Sequence, residues 1–493
     1  MKTSIVNIYK TTLCVLAVSG VVSCSKSFLD IKPKGKVIVQ ATADYDLLLS
    51  SSGLSANSVD VGVPMGDEVI AFDNYFSSAS TRSQRLFRWD DVIYDDGFFA
   101  NEMSTLMASL YTYNKIINEV MSSTDGTEAD KKALLAEARV NRAWTYFNLI
   151  NMYGKPYNAA TAATDPGYPI VTAADVTETK FTRASVQEVY DFILSDLTES
   201  IPNLPVTIRT RIRFGKTAAE LLLGKVYVFM GKFDAAKPYL EAALTDLATT
   251  GAGTTLTNMA LYDFNVTMIP AGTWGWNATS YASGSFSGTP VPAYYTENIV
   301  CRQVTPMSWA VSANEYTMSP QAAQLYTTSD KRLNYFTTKP FGVTTAYPLS
   351  GALRRNGPSA LLNGMTIPEL YLLRAEVAAR LGDTTTAIAS LKTLRVKRMS
   401  ATDANAIPVG MTQLQLIQFV LNERLREFAL QGYRWFDMRR LSVDPLFSSN
   451  TYTHTLYSPT GMVSATYTLR PERFTLQLPS AVIAQNPGME NNP

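Results

Sequence analysis

The stretch from Thr412 to Leu441 constrains this chain more than any other part of it. Leu414, Ile417, Val420 or Leu421, Leu425 and Phe428 recur at helical spacing, and Thr412 stands where a cap is needed. The spacing predicts an amphipathic helix, with Gly432 as its natural stop. After the glycine comes Tyr433-Arg434-Trp435-Phe436-Asp437-Met438-Arg439-Arg440, in which aromatics and opposite charges are interleaved. Guanidinium groups form planar, bidentate pairs with carboxylates that fix orientation. The block is therefore expected to pack a helix end on a core and tie it down with ion pairs, a structural role rather than a catalytic one.

Length and composition exclude several classes of function. At 493 residues the chain can bury a large core, and a net charge of +1 without a basic run gives nucleic acid no purchase. The chain has one histidine, His454, and three cysteines. Cys14 and Cys24 lie at the extreme N-terminus and Cys301 is alone in the body, so neither an internal disulfide nor a Cys/His metal cluster is expected. His454 sits in the strand-like run Thr451 to Tyr457, where a structural or exposed place is expected, and histidine-based catalysis is disfavoured.

Residues 1–23 read as a leader: Lys2 and Lys10 precede an apolar run, Leu13 to Val22, that is too short to span a bilayer comfortably. The run closes on Val21-Val22-Ser23-Cys24, which resembles a lipobox with Val21 in the place of the usual leucine and makes Cys24 the expected lipidated residue. Residues 50–100 are loop-rich, with Asp67-Glu68, Asp73, Asp90-Asp91 and Asp95-Asp96 among Phe72, Asn74, Tyr75, Phe87 and Trp89. Paired acids can hold calcium or act as acid and base, but such residues more often cap helices and turns, and Asp95-Asp96-Gly97 reads that way.

Helical periodicity then takes over. Leu106, Leu110, Tyr113, Ile117 and Val120 form one stripe, and a second helix is expected from about Glu128 to Tyr153. Ser185 and Glu188 make a capping box for a third. Leu223-Gly224-x-x-Tyr227, then Gly231, Phe233, Ala236, Leu240 and Ala243, reproduce the spacing of a tetratricopeptide helix pair, and Arg374-Ala375-Glu376 to Leu394 is a weaker echo. The two copies are not tandem, because a long insert of about residues 249–364 separates them. Between Thr249 and Cys301 the only charged residues are Asp263 and Glu297, yet Tyr262, Phe264, Trp274, Trp276, Tyr281, Phe286, Tyr294 and Tyr295 fall there, with Trp309 and Tyr316 beyond. Gly-spaced aromatics suit loops. They either line a ligand site, because Tyr and Trp lose little entropy when fixed, or close a small core beneath the loops. Trp274, Trp276, Tyr294 and Trp309 are the candidate ligand contacts, with Trp89 and Asn74 as outlying ones. Alternation through Thr451–Tyr457 and Ala465–Leu469 predicts a hairpin around Ser458-Pro459-Thr460-Gly461.

Glu423-Arg424-x-x-Glu427-Phe428, followed by Gly432-Tyr433-Arg434-Trp435-Phe436-Asp437-x-Arg439-Arg440, resembles the signature of the SusD/RagB family. The segment Ser25 to Pro33, with Phe28-Leu29-Asp30, is similar to that family's mature start, and the scattered helix pairs to its scaffold. Arg473 to Pro479 and Gln485-Asn486-Pro487-Gly488 are similar to its terminus, with Leu478-Pro479-Ser480 where members commonly show Pro-Ile-Pro. The resemblance implies a mainly α, SusD-like fold, in which tetratricopeptide-like helix pairs form a scaffold under a large irregular, loop-rich region with a few short strands. It implies one domain over 24–493, with the ligand-binding insert at about 249–364 and the signature region at about 365–493. It further implies a non-catalytic lipoprotein on the outer face of the outer membrane, anchored through Cys24. Such a protein binds a glycan, or a peptide as in RagB-like members, and delivers it to a SusC-like TonB-dependent transporter without a cofactor. Two competing readings are a surface glycosidase using acids such as Asp90 and Asp95, and a protein-binding scaffold without a small ligand.

Overall fold

The computed structural model describes residues 39–251, 259–269, 272–274, 292–305, 313–357 and 361–493. The leader and Cys24 thus lie outside the described residues, as do Trp276 and Trp309. Among the described residues no helix is long and apolar enough to cross a membrane.

Helices dominate, and most begin where the sequence supplies a cap. Numbering the elements used below, they are α1 (Thr42–Leu49), α2 (Gly62–Met65), α3 (Thr81–Arg88), α4 (Asn101–Glu119), α5 (Glu128–Tyr153), α6 (Val186–Ser200), α7 (Lys216–Phe229), α8 (Phe233–Leu247), α9 (Phe264–Thr267), α10 (Ile367–Arg380), α11 (Thr384–Arg395), α12 (Gln413–Phe428) and α13 (Tyr433–Leu441). Capping boxes at Thr127, Ser185 and Thr412 open α5, α6 and α12 by satisfying amides that the first turn leaves unpaired.

The tetratricopeptide spacing has its expected consequence, and more. α7 packs on α8, and α10 on α11. At Gly224 a side chain would lie 2.7 Å from Leu240 Cδ2, so only glycine permits that approach of α7 to α8. α5 pairs with α6, the partner displaced beyond the Pro-containing loop. Although the insert separates the pairs in sequence, α8 packs directly on α10, so the pairs stack in space as neighbouring repeats do. The principal core runs through this stack, with Val140, Phe147, Leu222, Ala236, Leu370 and Trp435 among its members.

Short strands close the other side: β1 (Ala56–Asn57), β2 (Val69–Phe72), β3 (Asn298–Val300), β4 (Gln303–Val304), β5 (Thr317–Met318), β6 (Leu361–Leu362), β7 (Met365–Thr366), β8 (Thr453–Tyr457) and β9 (Val463–Thr468). A four-stranded sheet has the order β9-β8-β2-β5, with Leu456 beside Ala71 in parallel register and Val69 opposite Met318. β1, β4 and β6 form a second sheet, and β3 pairs with β7. The predicted hairpin is β8–β9.

Gly432 does not end the first signature helix. α12 stops at Phe428, a turn over Ala429–Gln431 follows, and Gly432, at φ 87°, is the residue before α13. The charged block is itself that helix. Leu414 is 45% exposed, and the buried stripe of α12 runs instead through Leu416, Ile417, Val420, Leu421 and Phe428.

Arg434 and Arg440 of the block form the expected ion pairs, whereas Arg439 only donates to the Gly154 carbonyl at 2.9 Å and has no ion pair among the described residues. Arg424 bonds Asp437 at 2.8 Å and Glu369 at 2.9 Å, and Arg440 bonds Asp437 at 2.9 Å and Glu376 at 2.6 Å. Arg434 clasps Asp67 at 2.5 and 2.9 Å, joining α13 to the turn before β2. Glu68, beside it, is 1% exposed, and burial first and the charge of Asp67 second push its carboxyl up from 4.5 to about 8. A carboxyl raised in the folded state favours folding while protonated, so this contribution is complete below pH 4.5 and is lost as the pH rises through about 8. Glu68→Gln is therefore expected to stabilise the protein above pH 8 by on the order of a few kcal/mol, and to change little at pH 4–5, in melting curves taken across pH.

Candidate functional site

Where the insert meets the signature helix, a cavity of about 70 Å³ opens to the surface. The insert contributes Tyr262, Phe264, Trp274 and Tyr295, and α12 and the turn after it contribute Glu427, Phe428 and Gln431. Trp274 meets Tyr262 edge-on at 4.8 Å between ring centroids and lies nearly parallel to Tyr295 at 6.4 Å. Phe264, at the start of α9, packs against Trp274 at 5.5 Å and edge-on to Tyr335 at 5.6 Å. Edge-on and offset ring contacts of this kind hold aromatic walls at fixed angles.

One side of the cavity is ionic. Arg398, fully buried, reaches Glu297 at 2.7 Å and Glu427 at 2.7 Å, and Arg332 bonds Glu427 at 2.9 Å. The Tyr262 amide donates to Glu297 at 2.8 Å, fixing the aromatic strand to that pair. Burial alone would raise the Glu427 carboxyl, but Arg398 and Arg332 outweigh it and hold the group below the usual carboxylate range. Glu297 goes the other way: burial pushes it up, and the single guanidinium of Arg398 does not fully oppose that. Aromatic plates beside acids, amides and guanidiniums can stack on the apolar face of a ring and bond its hydroxyls. Among the described residues no group of three or more His, Cys, Asp or Glu side chains is placed to hold a metal.

The sequence-predicted contacts fall in different places. Trp274 lines the cavity but is only 3% exposed, so it belongs to a small core with Phe264 and Met268 as well as to the wall. Tyr294 is 67% exposed, in the turn that carries Tyr295 to the cavity. Asn74 is exposed on the short helix Asp73–Phe76 and does not line the cavity.

Trp89 is a core residue and is not in the lining of this cavity. Its indole N–H donates to the Met65 carbonyl at 3.2 Å, and its ring stacks on His454 at 3.8 Å. Phe87 covers the other contact of that imidazole at 4.5 Å. Both histidine nitrogens lie 2.7 Å from carbonyl oxygens, of Phe87 and Gly66, and burial brings the ring's pKa down to about 4. The lone histidine is thus a buried structural plug between two backbone carbonyls. Asp90 and Asp95 are bonded by Arg88 and Arg85, both at 2.7 Å. Arg332, Tyr335 and Arg355 line the cavity without having been singled out, and no local pattern marks them.

Comparison with known proteins agrees with this architecture. Residues 27–228 match the family described as "Starch-binding associating with outer membrane", residues 365–493 match "SusD family", and residues 221–245 match a tetratricopeptide repeat. SusD-like protein P38 of Formosa agariphila is 25% identical over 62% of this chain and 66% of its own length. SusD-like protein P2 of the same organism is 21% identical over 98% of this chain and 99% of its own. Among solved structures, a putative sugar binding protein from Bacteroides vulgatus superposes with a TM-score of 0.69 at 21% identity, covering 93% of this chain and 99% of that one. A laminarin binding SusD-like protein superposes with a TM-score of 0.61 at 16% identity, covering 92% and 100%. With the two SusD-type matches together taking in two thirds of the sequence, and the helix stack and signature helices folded as described, the chain belongs to the SusD/RagB family.

Proposed function

We propose that this protein captures an oligosaccharide or polysaccharide at the aromatic cavity between the insert and α12, without chemical turnover. On this reading it hands the glycan to a SusC-like TonB-dependent transporter while anchored through Cys24 to the outer face of the outer membrane. The observation that carries the reading is the cavity itself, where Trp274, Tyr262 and Tyr295 stand at fixed angles beside Glu297 and Gln431. The laminarin named for one structural neighbour, and the sugar named for another, support a glycan as the ligand class. Tyr294, exposed at the edge, and Trp276 and Trp309 of the insert are the proposed further contacts. A tethered binder raises the ligand concentration at a transporter's mouth with no chemistry of its own.

The test is a screen of glycans and peptides against the protein and its Tyr294→Ala and Trp276→Ala variants. One polysaccharide class should bind, and each substitution should weaken it by roughly ten-fold, about 1.4 kcal/mol. Binding to peptides alone would move the ligand class, and release of shorter sugars on incubation would overturn the non-catalytic reading.

A further inference from the structure

The two edges of the four-stranded sheet differ. β5, at one edge, is two residues long, and Met318 exchanges backbone hydrogen bonds with Leu353 at 2.8 and 3.3 Å, which covers it. β9, at the other edge, is six residues long and pairs with β8 alone. Every second residue of a strand directs its N–H and C=O to the same side, so β9 turns a row of backbone groups away from β8. Among the described residues, none of Val463–Thr468 makes a backbone hydrogen bond other than to β8. Val463, Ser464, Thr466 and Thr468 are exposed, Val463 at 61%. Natural edges are blunted by charges, prolines or bulges, because an open one templates another strand. β9 has neither a charge nor a proline. Its one bulge, which places Ser464 between the partners of Leu456 and Tyr457, leaves 465–468 in regular register.

We propose that β9 pairs antiparallel with β9 of a second copy of this chain, joining the two sheets across a two-fold axis. Such an axis sets one residue of the strand against its own symmetry mate. Centred on Thr466, the pairing places Ser464 opposite Thr468 on the exposed face, and Tyr467 opposite Ala465 on the inner one. Hydroxyl side chains then form a ladder across the junction, and the largest side chain of the strand meets the smallest. The ends of the strand complement each other as well. Asp73, which makes no ion pair among the described residues, is bonded by Ser464 at one end. Arg470, at the other end, shares Asp91 with Arg473 and is 55% exposed. Antiparallel pairing brings Arg470 of each copy toward Asp73 of the other. A junction of six residues a side is far smaller than the roughly 20–30 residues a side of a standard interface. The association is therefore weak and reversible, with a Kd on the order of 10–100 µM.

The experiment is sedimentation equilibrium of the full chain in density-matched detergent, over concentrations from about 1 to 500 µM. The wild-type protein should show a monomer–dimer equilibrium. Thr466→Lys and Thr466→Glu, at an exposed position, should each weaken association by about ten-fold or more with the melting temperature kept, because like charges then meet across the axis. An equimolar mixture of the two variants should restore it as a heterodimer. Monomer at every concentration, an undiminished dimer in either variant, or no rescue on mixing would overturn the proposal. So would a monomer whose edge is taken up instead by an unrelated extended peptide of Val–Thr repeats, which assigns the edge to a foreign strand. No residue of β9 lines the cavity around Trp274, so self-association and glycan capture succeed or fail separately.

Discussion

Replacing Glu423 by alanine is expected to leave the protein largely unfolded. Its carboxylate, fully buried, lies 2.8 Å from Arg332 and 2.5 Å from Arg395, and it also bonds Arg426. Burial alone would raise this carboxyl, yet the three guanidiniums together hold it far below the usual range. Removing one partner of a buried pair destabilises by about 3–5 kcal/mol, because the other charge stays behind without compensation. Here Arg395 and Arg426 lose their one carboxylate while Arg332 keeps Asp330 and Glu427, and Arg395, at 4% exposed, stays buried. Such a loss takes up much of the 5–15 kcal/mol that holds a typical domain (an order-of-magnitude range, about that for most proteins). The measurement is soluble yield with far-ultraviolet circular dichroism, and urea unfolding where protein is recovered. Glu423→Gln, which keeps the shape and some hydrogen bonds, should fall between. A Glu423→Ala protein within about 1 kcal/mol of wild type would show that the cluster is not what seats α12.

Gly62→Ala is expected to cost about 3 kcal/mol or more. A side chain at Gly62 in α2 would place its Cβ 2.2 Å from the Gly432 carbonyl oxygen and 3.0 Å from that residue's Cα. Both sides of the contact are backbone, and Gly432 is held at φ 87°, where a residue with a side chain is strained. Relief requires that α13 lift from α2, which strains the Arg434–Asp67 clasp and the packing of Trp435. Gly53→Ala, whose Cβ would meet only Ser51 Oγ at an ordinary 3.6 Å, is the control expected to change little. Denaturant midpoints for the two variants check both statements.

The parts that were legible from sequence are those whose determinants are local. Both ends of α5 follow from Thr127 before it and Gly154 after it, and the β8–β9 hairpin from period-2 alternation around a proline–glycine turn. The pairing of α7 with α8 follows from small residues at fixed offsets. Gly432 was misplaced because a glycine after a helical stripe reads as its end. Three intervening residues, with Leu430 itself at φ 55°, make the turn instead. Trp89 read as a loop aromatic among acids because the residue that buries it, His454, comes from the far end of the chain. The cavity was half legible. Its aromatics before Cys301 announce themselves by density, whereas Arg332, Tyr335 and Arg355, later in the same insert, fall outside that dense run and reach the site through the tertiary fold.

The order β9-β8-β2-β5 ties together segments near residues 70, 317 and 455. β2 has its parallel neighbour only when β8 arrives, and His454, on that same strand, slots between Phe87 and Trp89. During translation, therefore, the helix stack can condense early from local contacts, while β2 and the Phe87–Trp89 segment wait for almost the whole chain to leave the ribosome. β8 is thus a latch supplied by the far end of the chain, closing on β2 and on the Phe87–Trp89 segment.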